Sequence, residues 1–275
     1  MWDRFQLPLG RRTLLMGILN VTPDSFSDGG WTLDSRKAAS RALQMEEEGA
    51  DLIDVGGEST RPGARPVSER EELKRILPVL ERLSGKLRIP LSVDTYKASV
   101  AQRALESGAS LVNDVTALSD PRMAQVISRF QAPVILMHMR GVPRTMQRNP
   151  TYRRLVPEVV RFLTQAAQKA ISKGISREKI LIDPGLGFGK RPRDNWVLLK
   201  NLSVFKALGF PVVIGPSRKS FIGEALGDVP VRDRLLGTAA AVALGVLGGA
   251  DIVRVHDVAA MKQVVRVIER ALESS

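Results

Sequence analysis

Eight short apolar runs, each followed by a longer stretch or loop rich in polar residues, constrain this chain more than any other feature of its sequence. The runs are Thr13–Leu19, Asp51–Val55, Pro90–Val93, Ser110–Asn113, Pro133–Met137, Lys179–Ile182, Pro211–Gly215 and Asp251–Val255. Short apolar runs of this kind read as buried strands. The charged, amphipathic segments Ser35–Gly49, Ser68–Leu83, Lys97–Gly108, Tyr152–Gly174, Asp194–Gly209 and Asp257–Leu272 read as helices. Four of them close on a glycine just before the next run, at Gly49, Gly108, Gly174 and Gly209. Glycine accepts the left-handed conformation that ends many helices. Eight strands alternating with about eight helices across 275 residues give roughly 34 residues per unit. That predicts a single-domain α/β chain, a (β/α)8 (TIM) barrel. The competing arrangement is an open doubly wound sheet.

The placement of polar residues favours the barrel. Nearly every run is followed by one: Asn20, Asp54, Asp94, Asn113, His138, Asp183, Ser217 to Lys219, Arg254 and His256. A barrel gathers its site from many strand ends at one mouth, whereas a doubly wound sheet concentrates it at a switch point, often with a Gly-rich first turn. The first turn here has no GxGxxG. Side chains two apart share a face of a strand. Leu14, Met16, Ile18 and Asn20 therefore align, as do Leu111 with Asn113, Leu181 with Asp183, and Ile252 with Arg254 and His256. Each series is apolar at its start and polar at its end.

Composition removes several classes of function. Hydrophobic residues are 44% and charged residues 25%, as in a soluble globular protein. With no cysteine, disulfides, thiolate metal sites and cysteine nucleophiles are excluded. Met1–Arg12 does not read as a signal peptide, so the cytoplasm is the expected location. The uncharged run Leu235–Ala250 is shorter than the roughly 20 apolar residues of a membrane span. The net charge of +12 calls for anionic partners. Nucleic acid is not expected, because aromatic residues are only 5% and no nucleic-acid-binding motif is present. The basic stretch Arg140–Arg154 reads as a solvated loop or lid.

Five constellations carry chemistry. In the first loop, Asn20 and Asp28 can supply oxygen ligands for Mg2+, or the segment is a set of Asx and Ser turns. In the second, the glycines after Asp54 with Thr60 and Arg61 suit an anion, or make a tight connection. Asp94, Asn113 and Asp183 end three strands. They suit a heterocycle with an amidine-like N–H edge, or each caps the helix that follows. Ser217, Arg218, Lys219 and Ser220 open a helix where barrels commonly bind phosphate. Arg254 and His256 share a face and can both donate to an anion, with Asp257 as the cap of the last helix.

Taken together, the motifs resemble those of dihydropteroate synthases. They are Asn-Val-Thr-Pro-Asp-Ser-Phe-Ser-Asp at 20–28, Asp-Val-Gly-Gly-Glu-Ser-Thr-Arg-Pro at 54–62, Ser-Val-Asp-Thr at 92–95, Val-Asn-Asp at 112–114, Met-His-Met at 137–139, Asp-Pro-Gly-Leu-Gly-Phe-Gly at 183–189, Ser-Arg-Lys-Ser at 217–220 and Arg-Val-His-Asp-Val at 254–258. They span essentially the whole chain, in the family's order. The resemblance implies a (β/α)8 barrel, usually a homodimer, that joins 6-hydroxymethyl-7,8-dihydropterin diphosphate to 4-aminobenzoate and releases pyrophosphate.

It also implies roles. Asp94, Asn113, Asp183 and Lys219 would form the pterin pocket, packed by Met137, Phe188 and Gly215. Thr60, Arg254 and His256 would meet the diphosphate, and Asn20 with Asp28 would hold Mg2+. Phe26, Arg61, Pro62, Ser217 and Lys219 would meet the aminobenzoate. Asp94, Lys219, Arg254 and His256 carry the catalytic expectation. The alternative on the same barrel is a pterin-binding methyltransferase acting on methyltetrahydrofolate, which has no need of cations for a diphosphate.

Overall fold

The computed structural model describes residues 7–22, 30–60 and 63–274, with side chains at the same positions except 30–34. Eight strands alternate with helices, and all strand pairs are parallel. The strands are β1 (Leu14–Asn20), β2 (Leu52–Gly56), β3 (Leu91–Asp94), β4 (Leu111–Asp114), β5 (Val134–Met137), β6 (Ile180–Asp183), β7 (Val213–Ile214) and β8 (Ile252–Val255). Their order is β6-β5-β4-β3-β2-β1-β8-β7, and a parallel bridge from Ile182 to Val212 joins the two ends. The sheet thus curls into the (β/α)8 barrel that the sequence predicts. β7 is shorter than the run Pro211–Gly215, since Pro211 has no N–H to give and the Val212 N–H goes to the Asp251 side chain at 2.7 Å.

The alternation along the strands divides the core in two. Leu14, Met16, Leu52, Leu111, Ile135, Leu181, Val213 and Ile252 point inward and pack as a plug at the amino-terminal end of the barrel. The intervening residues, among them Ile53, Val55, Val93, Val112, Leu136 and Val253, face outward into the larger core under the helices.

Those helices are α1 (Gly30–Glu47), α2 (Glu69–Leu83), α3 (Ala98–Glu106), α4 (Met123–Phe130), α5 (Leu155–Ser172), α6 (Pro192–Lys200), α7 (Leu202–Lys206), α8 (Ser220–Ala225), α9 (Leu235–Leu247) and α10 (Val258–Glu273). Gly49, Gly108, Gly174 and Gly209 all take positive φ, as helix-ending glycines should. One expectation changes. The single helix over 194–209 is two, because Asn201 breaks it and donates its side-chain N–H to the Val197 carbonyl at 2.8 Å. The uncharged run from Leu235 is α9, packed on α10 and β8. Among the described residues no helix is long and apolar enough to cross a membrane.

Candidate active site

Strand register sets the level of the site. Asn20 lies beside Gly56, Gly56 beside Asp94, and Asp94 beside Asn113. Met137 lies beside Asp183, and Met16 beside Arg254. Lateral neighbours in a parallel ladder point to the same face. Asn20, Asp94, Asn113, Asp183 and Arg254 therefore all project inward above the apolar plug, at the carboxyl end of the barrel.

At the centre one guanidinium lies between two carboxylates. Arg254 donates from Nε to Asp54 Oδ2 at 2.6 Å and from Nη2 to Asp94 Oδ2 at 2.7 Å. Asn113 Nδ2 donates to Asp54 Oδ2 at 2.9 Å. Asp54 is fully buried, and it is a site residue that the motif reading left without a role. Its alignment two residues after the inward-facing Leu52 is the signal that marks it. The second oxygens of both acids, Asp54 Oδ1 and Asp94 Oδ1, find no hydrogen-bond partner among the described residues. Burial raises the Asp94 carboxyl above its usual range; Arg254 opposes the rise, and the neighbouring Asp54 adds to it. Burial likewise pushes Asp183 up to about 6, against the Gly185 N–H that its Oδ1 accepts at 2.6 Å. Unsatisfied buried acceptors are costly, and they cluster where a ligand supplies the missing donors.

The choice between capping and binding is decided by these partners. The residues at the N-cap positions of α3, α4 and α6 are Lys97, Arg122 and Arg191, so none of Asp94, Asn113 and Asp183 caps a helix. Asp114 does hold local backbone, accepting from Thr116 N and Leu118 N at 2.8 Å each.

Apolar walls rise above the acids. Met137 and Phe188 pack with Val115, Met139 and Met146 in a small cluster separate from the two main cores. Lys219 Nζ sits 3.9 Å from the centre of the Phe188 ring, a cation–π contact. Gly215 adjoins Arg254, whose Cβ would lie 3.8 Å from a Cβ placed there. Opposite, Ser217 Oγ accepts the backbone N–H of His256 at 3.2 Å and lies 2.9 Å from His256 Nδ1. Which of the two donates in the Ser217–His256 contact depends on the imidazole tautomer.

Arg218 is turned away. It takes φ +58° and forms a bidentate pair with Asp257, at 2.9 and 2.5 Å. Asp257 accordingly makes no side-chain cap on α10. Thr60 follows β2, on a loop whose preceding Glu58 is pinned by Lys97 and by the Tyr96 hydroxyl at 2.7 Å. Phe26, Asp28, Arg61 and Pro62 lie outside the described residues.

The sequence profile of the pterin binding enzyme family matches residues 16–256. The dihydropteroate synthase of Synechocystis is 47% identical over 261 residues, covering 94% of this chain and 90% of that protein. The structure of the Yersinia pestis dihydropteroate synthase in a sulfonamide drug complex superposes with a TM-score of 0.94 at 42% identity, covering 100% of this chain and 99% of that one. The Xanthomonas albilineans dihydropteroate synthase in complex with 7,8-dihydropteroate superposes at 0.87 and 43% identity, covering 96% and 95%.

Proposed function

This chain belongs to the dihydropteroate synthase family of pterin-binding enzymes, and from that membership we propose that its barrel mouth joins 6-hydroxymethyl-7,8-dihydropterin diphosphate to 4-aminobenzoate. The products are 7,8-dihydropteroate and pyrophosphate. The observation that carries this reading is the set of inward, uncapped acids and amide at the mouth, with buried oxygens awaiting donors. Product and sulfonamide complexes of relatives support it. The names those relatives carry do not favour the methyltransferase alternative.

The residues divide the work as follows. Asp183 accepts paired N–H donors from the pterin edge, Asn113 and Asp94 meet the same ring, and Met137, Phe188 and Gly215 enclose its faces. Lys219 covers the ring from the Phe188 side. Breaking the methylene C–O bond leaves positive charge on the pterin-bearing carbon and negative charge on pyrophosphate. Asp94 counters the first, and Arg254, His256 and Thr60 stabilise the second by donors held in place. The aromatic amine then attacks that carbon and loses a proton to solvent. Ser217, together with Phe26, Arg61 and Pro62 of the early loops, holds the aminobenzoate.

The donor chemistry fits a Mg2+ ion bound by few protein oxygens. Asn20 Oδ1 and Asp94 Oδ2 both approach the space beside Gly56, at 3.9 and 3.7 Å from where a Cβ would stand. Among the described residues no group of three His, Cys, Asp or Glu forms a full cage. Mg2+ suits such a site, since it keeps water and substrate phosphate as ligands. Asn20 would hold it, joined by Asp28, and when bound it supplies charge stabilisation for the leaving group.

A cytoplasmic homodimer completes the reading. Leu236, Leu244 and Leu247 on α9 are exposed, and a second copy covering them would bury apolar surface. The test of the activity is pyrophosphate release measured with and without 4-aminobenzoate, with Mg2+ and after chelation. Release that needs both aminobenzoate and metal supports the proposal. Release undiminished by thorough chelation overturns the metal assignment, and no release under any condition overturns the reaction.

A further inference from the structure

Lys190 is among the largest fully buried side chains of the described residues, and it has no role in the reaction outlined above. Its Nζ lies 3.0 Å from His138 Nδ1, 3.2 Å from the His138 carbonyl and 2.9 Å from the Phe188 carbonyl. An ammonium has three donors, and here three neutral acceptors take them. Among the described residues no carboxylate forms a salt bridge with it; burial lowers its pKa to about 7, with Asp183 opposing the fall, because burying a charge without an ionic partner opposes folding. His138 stays neutral, because burial drives its pKa down to about 2, with Lys190 adding to the effect. An unbranched apolar side chain would fill the same volume without that cost, so the ammonium needs a reason to be there.

What it holds supplies one. His138 follows β5 directly after Met137, and Phe188 sits at the apex of the loop between β6 and α6. That loop is fastened at nearly every polar group. Gly187 N–H donates to Asn195 Oδ1 at 2.6 Å, and the Gly187 carbonyl accepts from Gln147 at 2.9 Å. The Gly189 carbonyl accepts the Tyr152 hydroxyl at 2.6 Å. Gly185, at φ +70°, lies so close to the His138 carbonyl that a Cβ would strike it. Among the described residues, Lys190 supplies the hydrogen bonds that join the Phe188 carbonyl to the end of β5, where Met137 and Phe188 also pack together. Its charge also favours the Asp183 carboxylate.

We propose that Lys190 is a positioning residue of the pterin pocket: its ammonium clamps Phe188 to the end of β5, setting the slot between Met137 and Phe188. This rests on the pterin reading given above. The groups that face Asp183 are Lys190, Lys219 and Arg254, and those that face Lys190 are Asp183, Lys219, Asp194 and His138. Removing Lys190 therefore takes one of three cations from Asp183 and leaves the other two.

The experiment uses the full chain and 6-hydroxymethylpterin, a pterin that cannot react, with its affinity followed by fluorescence across the pH range. Lys190→Met should weaken pterin binding at least ten-fold above the titration of Asp183, and move the acid limb of binding upward in pH. The KM for 4-aminobenzoate should stay within two-fold. Because the chain has no cysteine, Lys190→Cys can be alkylated in the unfolded state with 2-bromoethylamine and refolded, which rebuilds a lysine-like ammonium at one site only. That product should recover pterin affinity to within three-fold of wild type refolded in parallel, whereas the neutral iodoacetamide adduct should not. If Lys190→Met does not fold, Lys190→Gln carries the same comparison. Wild-type affinity and acid limb in these variants would overturn the inference. So would equal losses toward pterin and aminobenzoate that simply follow a lowered unfolding temperature. Failure of the unmodified chain to bind the pterin would overturn the pterin reading itself, and this inference with it.

Discussion

The two ends of the barrel carry the same residue type in opposite states. At the amino-terminal end, Asp51 Oδ2 accepts the Leu15 N–H at 2.9 Å and its carboxylate pairs with Arg12. Asp251 Oδ2 accepts the Val212 N–H at 2.7 Å, and Lys206 pairs with the same carboxylate. Every oxygen of these acids is matched, to backbone and to a cation. At the carboxyl end, Asp54 and Asp94 share one guanidinium and each keeps an unmatched buried oxygen. Position on a barrel strand thus separates acids that hold the fold from acids that wait for a ligand. The base is satisfied within the described residues, whereas at the mouth the described residues leave one oxygen of each acid without a donor.

The largest break in that contrast is Arg254→Met. It leaves Asp54 and Asp94 buried without their cation, and breaking a buried pair in this way costs about 3–5 kcal/mol. Denaturant unfolding should show a loss of that size, and pyrophosphate release should fall to background. Unchanged stability would mean the triad is not the electrostatic centre it looks to be.

Asp183→Ala comes next. Losing a charged hydrogen bond costs about 1.5–3 kcal/mol, a ten- to hundred-fold drop in pterin affinity by calorimetry. Folding stability should hold or rise, since burial disfavours this carboxylate. A fall in stability with intact affinity would make Asp183 a structural acid like those at the base.

The wild-type chain should show the same dependence through pH. Asp183 holds its proton up to about 6, so the accepting anion is present above that value and lost below it. Pterin affinity should fall about ten-fold from roughly pH 7 to roughly pH 5. An affinity flat over that range would remove Asp183 from the pocket.

Much of this arrangement is readable from the sequence because it is local. The inward series Leu111 to Asn113 and Leu181 to Asp183 follow from strand periodicity, and Gly49 and Gly108 mark helix ends through a conformation that only glycine adopts without strain. What escaped is set by distance along the chain. Asp54 earns its place through Arg254, which is 200 residues away, and Arg218 is drawn off by Asp257, 39 residues away. Lys190 carries no mark in the sequence; its burial comes from packing against His138, 52 residues earlier. The split between α6 and α7 escaped for a smaller reason, a single asparagine bonding back to its own helix.

The smallest expected effect sharpens the contrast from the base. Asp251→Asn keeps an oxygen for the Val212 N–H but loses the pair with the partly exposed Lys206. Stability should fall by about 1 kcal/mol, measured by denaturant unfolding, with pterin affinity within two-fold.

The most direct test pairs one acid from each end. Asp94→Asn and Asp51→Asn are compared for unfolding free energy and for kcat/KM of pyrophosphate release. The account predicts that Asp94→Asn changes stability by no more than about 1 kcal/mol while kcat/KM drops at least a hundred-fold, about 2.7 kcal/mol of transition-state stabilisation. Asp51→Asn should do the reverse, losing stability while the folded enzyme turns over normally. Equal losses of stability in the two variants, with wild-type turnover in Asp94→Asn, would contradict it.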